Sequence, residues 1–492
     1  MRAKIHVAFL WHMHQPWYIL PEGAGVLPWA RLRASKDYYD MAQHLISTGF
    51  ACNVNFTPVL TEQIRLLSEG KVSDPYTPDG PPSALEELKS GLIPMPISRR
   101  GFSPPAEFSS SDEFWAWFFL SWTAQTAIEE EAELQKLLAA KKLDLHALET
   151  LQAWHKKLIA AVLPLYRGLS ESGQIELSTT PFYHPILPLL LESSVAKRAQ
   201  PHDEIPVFRA PEDAQVQAER ALHHHQEIFG QKPEGMWPAE GAVSPEALEL
   251  LAKLGVRWVV TDGAILAKTL GRPPSFAELY RPWRLRLGSH EVFVFFRDTL
   301  LSNLLSFEYG KWPWEKAIED FLSRVHGNCS GWKEKAPPLV VIAMDGENAW
   351  DYYERNGRPF LLGLYRAIQE HFQPTTLSAY LSRYGWGGEL STIWSGSWID
   401  ADFRTWIGEP LQNRAWIALA EARDAAQSSS DPQGKAKAFE HLYICEGSDW
   451  FWWRSSKNHT PLFSHFARLF RAHLAQAWRE LGKAPPAYLE TL

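Results

Sequence analysis

Short runs of apolar, β-branched and aromatic residues recur through the first 345 positions of the chain, at 5–11, 51–56, 175–178, 235–237, 257–260, 291–296 and 339–344. Most are apolar at consecutive rather than alternate positions, the pattern of strands covered on both faces. Helical periodicity fills the intervals. Over 244–254, for example, Ser244 is placed to cap, Pro245 takes the first helical position, Leu248, Leu251 and Leu254 share a face, and Gly255 ends the element. Strands alternating with helices predict a parallel sheet. Seven such units predict a closed or nearly closed (β/α) barrel, with functional side chains just beyond the strand C-termini.

Roughly 115 residues separate the second and third runs. They hold Pro/Ser-rich stretches at 73–83 and 103–111 and long helical patterns at 112–138 and 145–169, which together predict a helical insertion over the barrel mouth at about 71–170. After Asp345 the strand pattern stops, and 411–423, 434–443 and 461–481 read as helices around a polar connector at 428–434. The expected organisation is a barrel over residues 1–375 and an α-helical C-terminal domain over 376–492.

Composition narrows the partner. Of 492 residues, 23 are Trp, 25 Phe and 15 Tyr, a surplus of aromatic rings suited to a large core or to ligand stacking. The net charge of −8 is spread without like-charge blocks, so neither nucleic acid nor an anionic membrane is expected as a partner. No apolar run approaches the about 18 residues of a membrane-spanning helix. Three cysteines, Cys52, Cys329 and Cys445, are odd in number and far apart, which argues against a disulfide framework and points to a reducing compartment. The run after Arg2 and Lys4 is interrupted by His6 and precedes no small-residue cleavage site, so a cytoplasmic location is expected.

The strand ends supply the candidate chemistry: His12 and His14, Asn55, Glu176, Glu240, Asp262, Arg297 and Asp298, then Asp345 and Glu347. His12 and His14, two apart on a strand, point to one face, where neutral imidazoles suit sugar hydroxyls, a metal ion or simple packing. The triplet His223 to His225 lies inside a helical pattern and splays around its axis, as a solvated face would. Glu240 follows Trp237 and Pro238, which stiffen its loop; its plain alternative is a capping carboxylate before the Ser244 helix. Asp345 ends an apolar strand in a low-dielectric mouth, where a raised pKa makes a general acid, although hard cations also choose such positions. Gly346 would let the backbone approach a ligand closely. Two carboxylates from different strands facing each other among aromatic rings is what glycosidic cleavage requires. Of the two aromatic clusters, 114–119 reads as core and 449–453 as a substrate surface.

These residues resemble glycoside hydrolase family 57, in which α-amylases, amylopullulanases, glucanotransferases and branching enzymes act on α-glucans. The resemblance rests on His12-Met13-His14-Gln15-Pro16, Gly173 to Leu177, Gly235 to Glu240, Asp345-Gly346-Glu347, and the Trp-rich segment 447–453. It implies an incomplete (β/α)7 barrel followed by a C-terminal α-helical domain, and a retaining mechanism with Glu240 as nucleophile and Asp345 as acid/base. It further implies substrate contacts from His12, His14, Glu176, Trp237, Glu347, Trp398, Asp449 and Trp452, with no cofactor and no catalytic metal. The segments 396–399 and 405–410 look most like the amylopullulanase-type branch. Met344 departs from the pattern, since many members carry a His there. Two rivals remain: a metal-dependent polysaccharide deacetylase using His12, His14 and an Asp, and a non-catalytic glucan-binding protein.

Overall fold

The apolar runs pair into one curled sheet in the computed structural model, which describes residues 4–97, 100–140 and 142–492. Its strands are β1 (His6–Met13), β2 (Cys52–Phe56), β3 (Ile175–Thr179), β4 (Gly235–Met236), β5 (Trp258–Asp262), β6 (Trp283–Leu287), β7 (His290–Arg297), β8 (Leu339–Asp345), β9 (Gln373–Pro374) and β10 (Gly388–Leu390). The order is β10-β6-β7-β5-β4-β3-β2-β1-β8, with β9 added beside β1. Every expected strand is present, and every ladder between two of the seven is parallel. Three short strands were not expected: β6, antiparallel to β7, and β9 and β10, which continue the sheet past Asp345. β7 and β8 face each other across a seam rather than a ladder. The Asp298 N–H bonds to the Val341 carbonyl at 2.8 Å, and Arg297 Nη1 to that of Ala343 at 3.0 Å. The fold is therefore the incomplete (β/α)7 barrel with added helices.

Strand alternation decides what faces the barrel axis. In β1, Val7, Phe9, Trp11 and Met13 pack outward under the helices, while Ala8 and Leu10 belong to the axial cluster with Trp258, Val260, Val341 and Ala343. The next inward positions are His12 on β1 and Asp345 on β8, which are register partners at the top of the sheet. Met344 points outward, where Ser306 Oγ lies 3.6 Å from its sulfur. The departure from the family pattern thus falls in the packing shell and not in the mouth. The helix Leu377–Tyr384 closes the barrel floor through Leu377, Tyr380 and Leu381.

The helices Ser111–Ser121 and Leu145–Glu171 pack on the barrel wall, and Trp115 and Trp117 are buried. Among the described residues, none of those lining the cleft comes from 71–170. The C-terminal helices Pro410–Gln427, Pro432–Cys445 and Phe463–Glu480 follow the expected patterns. Among the described residues no helix is long and apolar enough to cross a membrane, and the three cysteines are free and buried.

Candidate active site

A cleft of about 500 Å³ opens over the C-terminal strand ends. The barrel supplies His12, His14, His184, Glu240, Asp345 and Glu347; the C-terminal part supplies Trp398, Asp449, Trp452 and Trp453. Trp29, Arg33 and Asp351 complete one side.

Glu240 sits in an unusual backbone position. β4 is only two residues long, and the turn after Pro238 puts Glu240 at φ 57°. A left-handed non-glycine residue costs about 1 to 2 kcal/mol, so surrounding bonds must hold it. They do so at both ends of the residue. The Glu240 carbonyl accepts the Trp398 N–H at 3.0 Å, and Trp398 Nε1 donates to Oε2 at 2.9 Å. Ser448 Oγ lies 3.3 Å from Oε1 and 2.8 Å from His184 Nδ1. If the Ser448 hydroxyl donates to the carboxylate, its oxygen accepts from His184. Trp398 is held in turn by Arg297, whose guanidinium lies 4.8 Å from its ring centroid and is paired with buried Asp262 at 2.5 Å. Asp262 and Arg297, proposed as strand-end chemistry, therefore act one layer back by fixing the ring that fixes Glu240. Burial, and then the charges of Asp449 and Asp345, push Glu240 up to about 8.

Asp345 ends β8 level with His12. Gly346, expected to admit a ligand, instead admits a neighbouring strand: a Cβ there would collide with Met13, and the Gly346 N–H bonds to the His12 carbonyl at 2.8 Å. The tight turn carries Glu347 into a pocket where Oε1 accepts from Gln15 at 3.2 Å and Oε2 has no partner among the described residues. Burial, then the charge of Asp345, raises Glu347 well above the ordinary carboxylate range.

The three imidazoles form a stack, with His14 and His184 rings 3.8 Å apart and His12 5.2 Å from His184. Asn55 Nδ2 donates to the Thr179 carbonyl and so turns its oxygen toward His12 Nδ1, at 2.7 Å. His12 consequently carries its proton on Nδ1 and leaves Nε2 as an acceptor; burial lowers it to about 3, so it is neutral. His14 Nε2 donates to the Asp449 carboxylate at 3.0 Å. Burial, then His14 and His12, holds His184 well below the ordinary range.

Among the described residues one donor set has the spacing for an ion: His14, His184 and Asp449, within 4.8 Å of one another. It differs from the set expected of a deacetylase, because Asn55 occupies Nδ1 of His12 and the Asp arrives from the C-terminal part.

Two expected substrate contacts are corrected. Glu176 points into the barrel but pairs in register with Asn53, two residues below the His12 and Asn55 level, about 7 Å deeper. There it accepts from Asn53 Nδ2, Trp258 Nε1 and both the N–H and hydroxyl of Ser378, as part of the floor. Trp237 is fully buried, packed edge-on against Trp398 at 5.0 Å, and cannot stack on a ligand. His12, His14, Glu347, Trp398, Asp449 and Trp452 all line the cleft with Glu240 and Asp345. His184 and Ser448 were missed. The signal for the first was present, since His184 follows the third strand in Tyr183-His184-Pro185, but the polar residue inside the strand was chosen instead.

Residues 8–385 match the model of glycosyl hydrolase family 57. The chain is 28% identical over 123 residues to alpha-amylase 1 of Dictyoglomus thermophilum, covering 25% of this chain and 15% of that protein. It is 26% identical over 251 residues to a 4-alpha-glucanotransferase of Thermococcus litoralis, covering 49% and 33%. These matches span a third or less of the relatives' own lengths. Among solved structures, a GH57-type branching enzyme from Pyrococcus horikoshii superposes with a TM-score of 0.65 at 17% identity, over 99% of this chain and 91% of that one.

Proposed function

The chain belongs to glycosyl hydrolase family 57, and from that premise we propose that it cleaves or transfers α-glucosidic linkages of α-glucans with retention, Glu240 acting as nucleophile and Asp345 as acid/base. The observation that carries the reading is the pairing of the two carboxylates in one cleft, with Trp398 and Ser448 placed to donate to the oxygens of Glu240. The pair holds a proton through neutral pH, because Glu240 is pushed up to about 8 partly by Asp345. Trp398 Nε1–H can only donate, so it favours the anionic form of Glu240, the form that attacks.

In the reaction, protonated Asp345 gives its proton to the leaving glycosidic oxygen as Glu240 attacks the anomeric carbon from the opposite face. Asp345 then takes a proton from water or from a glucan hydroxyl, which attacks the same carbon and releases Glu240. Neutral His12 presents Nε2 to a sugar hydroxyl, His14 is anchored by Asp449, and Trp452 with Trp398 offers ring faces for stacking. In this reading the stretch 376–492 forms the second wall of the cleft. The amylopullulanase-type branch is the finer assignment favoured by 396–399 and 405–410.

Product analysis on amylose, pullulan and maltooligosaccharides tests the proposal. Reducing ends from amylose and pullulan mark the amylopullulanase type, whereas elongated or branched products mark a transferase. No product from any of the three would sink it. A chelator should leave the rate unchanged, because the carboxylate pair needs no ion; loss of activity restored by a divalent cation would move the chemistry to His14, His184 and Asp449.

A further inference from the structure

A second groove, also of about 500 Å³, lies behind the wall of the cleft and takes no part in the chemistry above. Its one half-buried ring is Trp17, backed by the buried rings of Phe182 and Tyr183, and the helix Pro211–Phe229 faces them with Glu219, Arg220 and His223. Two chain segments build both sites. Pro16 and His184 line the cleft while their immediate neighbours Trp17 and Tyr183 line the groove. The Trp17 and Tyr183 rings meet edge to face at 6.0 Å, so one aromatic wall separates the two.

The groove is held rigidly. Gln217 accepts the backbone N–H of both Phe182 and Tyr183 at 3.0 Å, through its carbonyl and its side chain, and the Phe182 carbonyl accepts the Val59 N–H at 3.1 Å. Arg220 sits 4.9 Å from the Phe182 centroid and is fixed by Glu440 at 3.0 Å. The polar groups are of mixed kind: Glu62, Glu219 and Glu227 accept, whereas Arg220 donates and His223 does either. Three carboxylates repel a polyanion, and Arg220, paired with Glu440, adds a single cationic donor among them. A neutral chain bearing many hydroxyls and an apolar ring face satisfies both the polar groups and the rings. The triplet of histidines set aside as a solvated helix face thus contributes two members to this groove, His223 and His224, while His225 is buried.

We propose that this groove binds an outer stretch of the α-glucan whose reacting unit sits in the cleft. This rests on the reading of the cleft given above. The test uses the full chain carrying Trp17→Ala, or Glu219→Ala with His223→Ala, the latter pair lying on an exposed helix face. Two quantities are compared with the parent: kcat/KM on amylopectin and on maltotriose, and retardation in native gels containing amylopectin, the latter in a Glu240→Gln background. Loss of a stacked ring should weaken retardation about tenfold. Turnover of amylopectin should fall likewise, while turnover of maltotriose, too short to span both sites, stays at the parent level. Unchanged retardation and unchanged amylopectin turnover in both variants would overturn the groove while leaving the cleft intact. A parent chain that turns over neither substrate would instead overturn the α-glucan reading itself.

Discussion

Replacing Glu240 by Gln should abolish turnover and also stabilise the protein, by an amount that depends on pH. Unfolded, the side chain ionises near 4.5; folded, burial and the charges of Asp449 and Asp345 move it to about 8. Between those values the native state keeps a proton that the unfolded chain has released, so wild-type stability falls as pH rises through the window and levels off above it. At 1.36 kcal/mol per tenfold change the full displacement corresponds to about 5 kcal/mol. The side chain is 12% exposed to the cleft, and water there relieves part of the cost, leaving about 2 to 4 kcal/mol. Gln does not titrate. The difference in melting temperature between variant and wild type, followed by calorimetry from pH 5 to 9, should therefore open with rising pH and saturate past about 8 at a few degrees in favour of the variant. A flat difference across the range, or a less stable variant at pH 9, would refute the idea that the ionisation of Glu240 is opposed by its surroundings.

Trp398→Phe keeps the ring but removes the donor to Glu240 Oε2; a charge-assisted hydrogen bond of about 1.5 to 3 kcal/mol predicts a loss in kcat of about 10- to 100-fold at little changed KM in steady-state kinetics. Glu176→Gln should lower stability by about 1 to 3 kcal/mol, because an amide nitrogen then faces donors, yet leave kcat/KM of the folded protein within about twofold. A collapse in kcat/KM would return Glu176 to the substrate. The alkaline limb of kcat/KM should fall near pH 8, where the carboxylate pair loses its shared proton, and a profile flat to pH 10 would contradict that sharing.

The seven barrel strands were legible because each is buried on both faces and so reads as a continuous apolar run. β6 was not, although Trp283-Arg284-Leu285-Arg286-Leu287 alternates as a one-sided strand should: its arginines hid it among runs selected for unbroken apolarity. Depth was the other failure. Sequence shows that Glu176 is polar and lies in a strand, but only the register with Asn53 shows that it lies below the mouth. The tryptophan surplus misled for a related reason. Trp11, Trp122, Trp237, Trp258, Trp350, Trp406, Trp416 and Trp450 are all in the core, and the rings that line the cleft are a few half-buried ones, including Trp398 and Trp452. His184 was hidden by its backbone, since its φ of 60° belongs to a loop whose path no periodicity announces.

Assembly of the cleft out of distant parts of the chain has a consequence for biosynthesis. Glu240 and Asp345 leave the ribosome well before Ser448 and Asp449, which complete the bonding of Glu240 and His14. At about 5 to 20 residues per second, the roughly 100 residues between Asp345 and Asp449 take about 5 to 20 seconds to make. During that interval the barrel can close, because its floor helix Leu377–Tyr384 follows soon after β8 and brings Ser378 to Glu176. Glu240, however, still lacks Trp398 and then Ser448. On the mechanism proposed above, order of synthesis alone therefore leaves the site of a nascent barrel unassembled until Trp398 and Ser448 have docked.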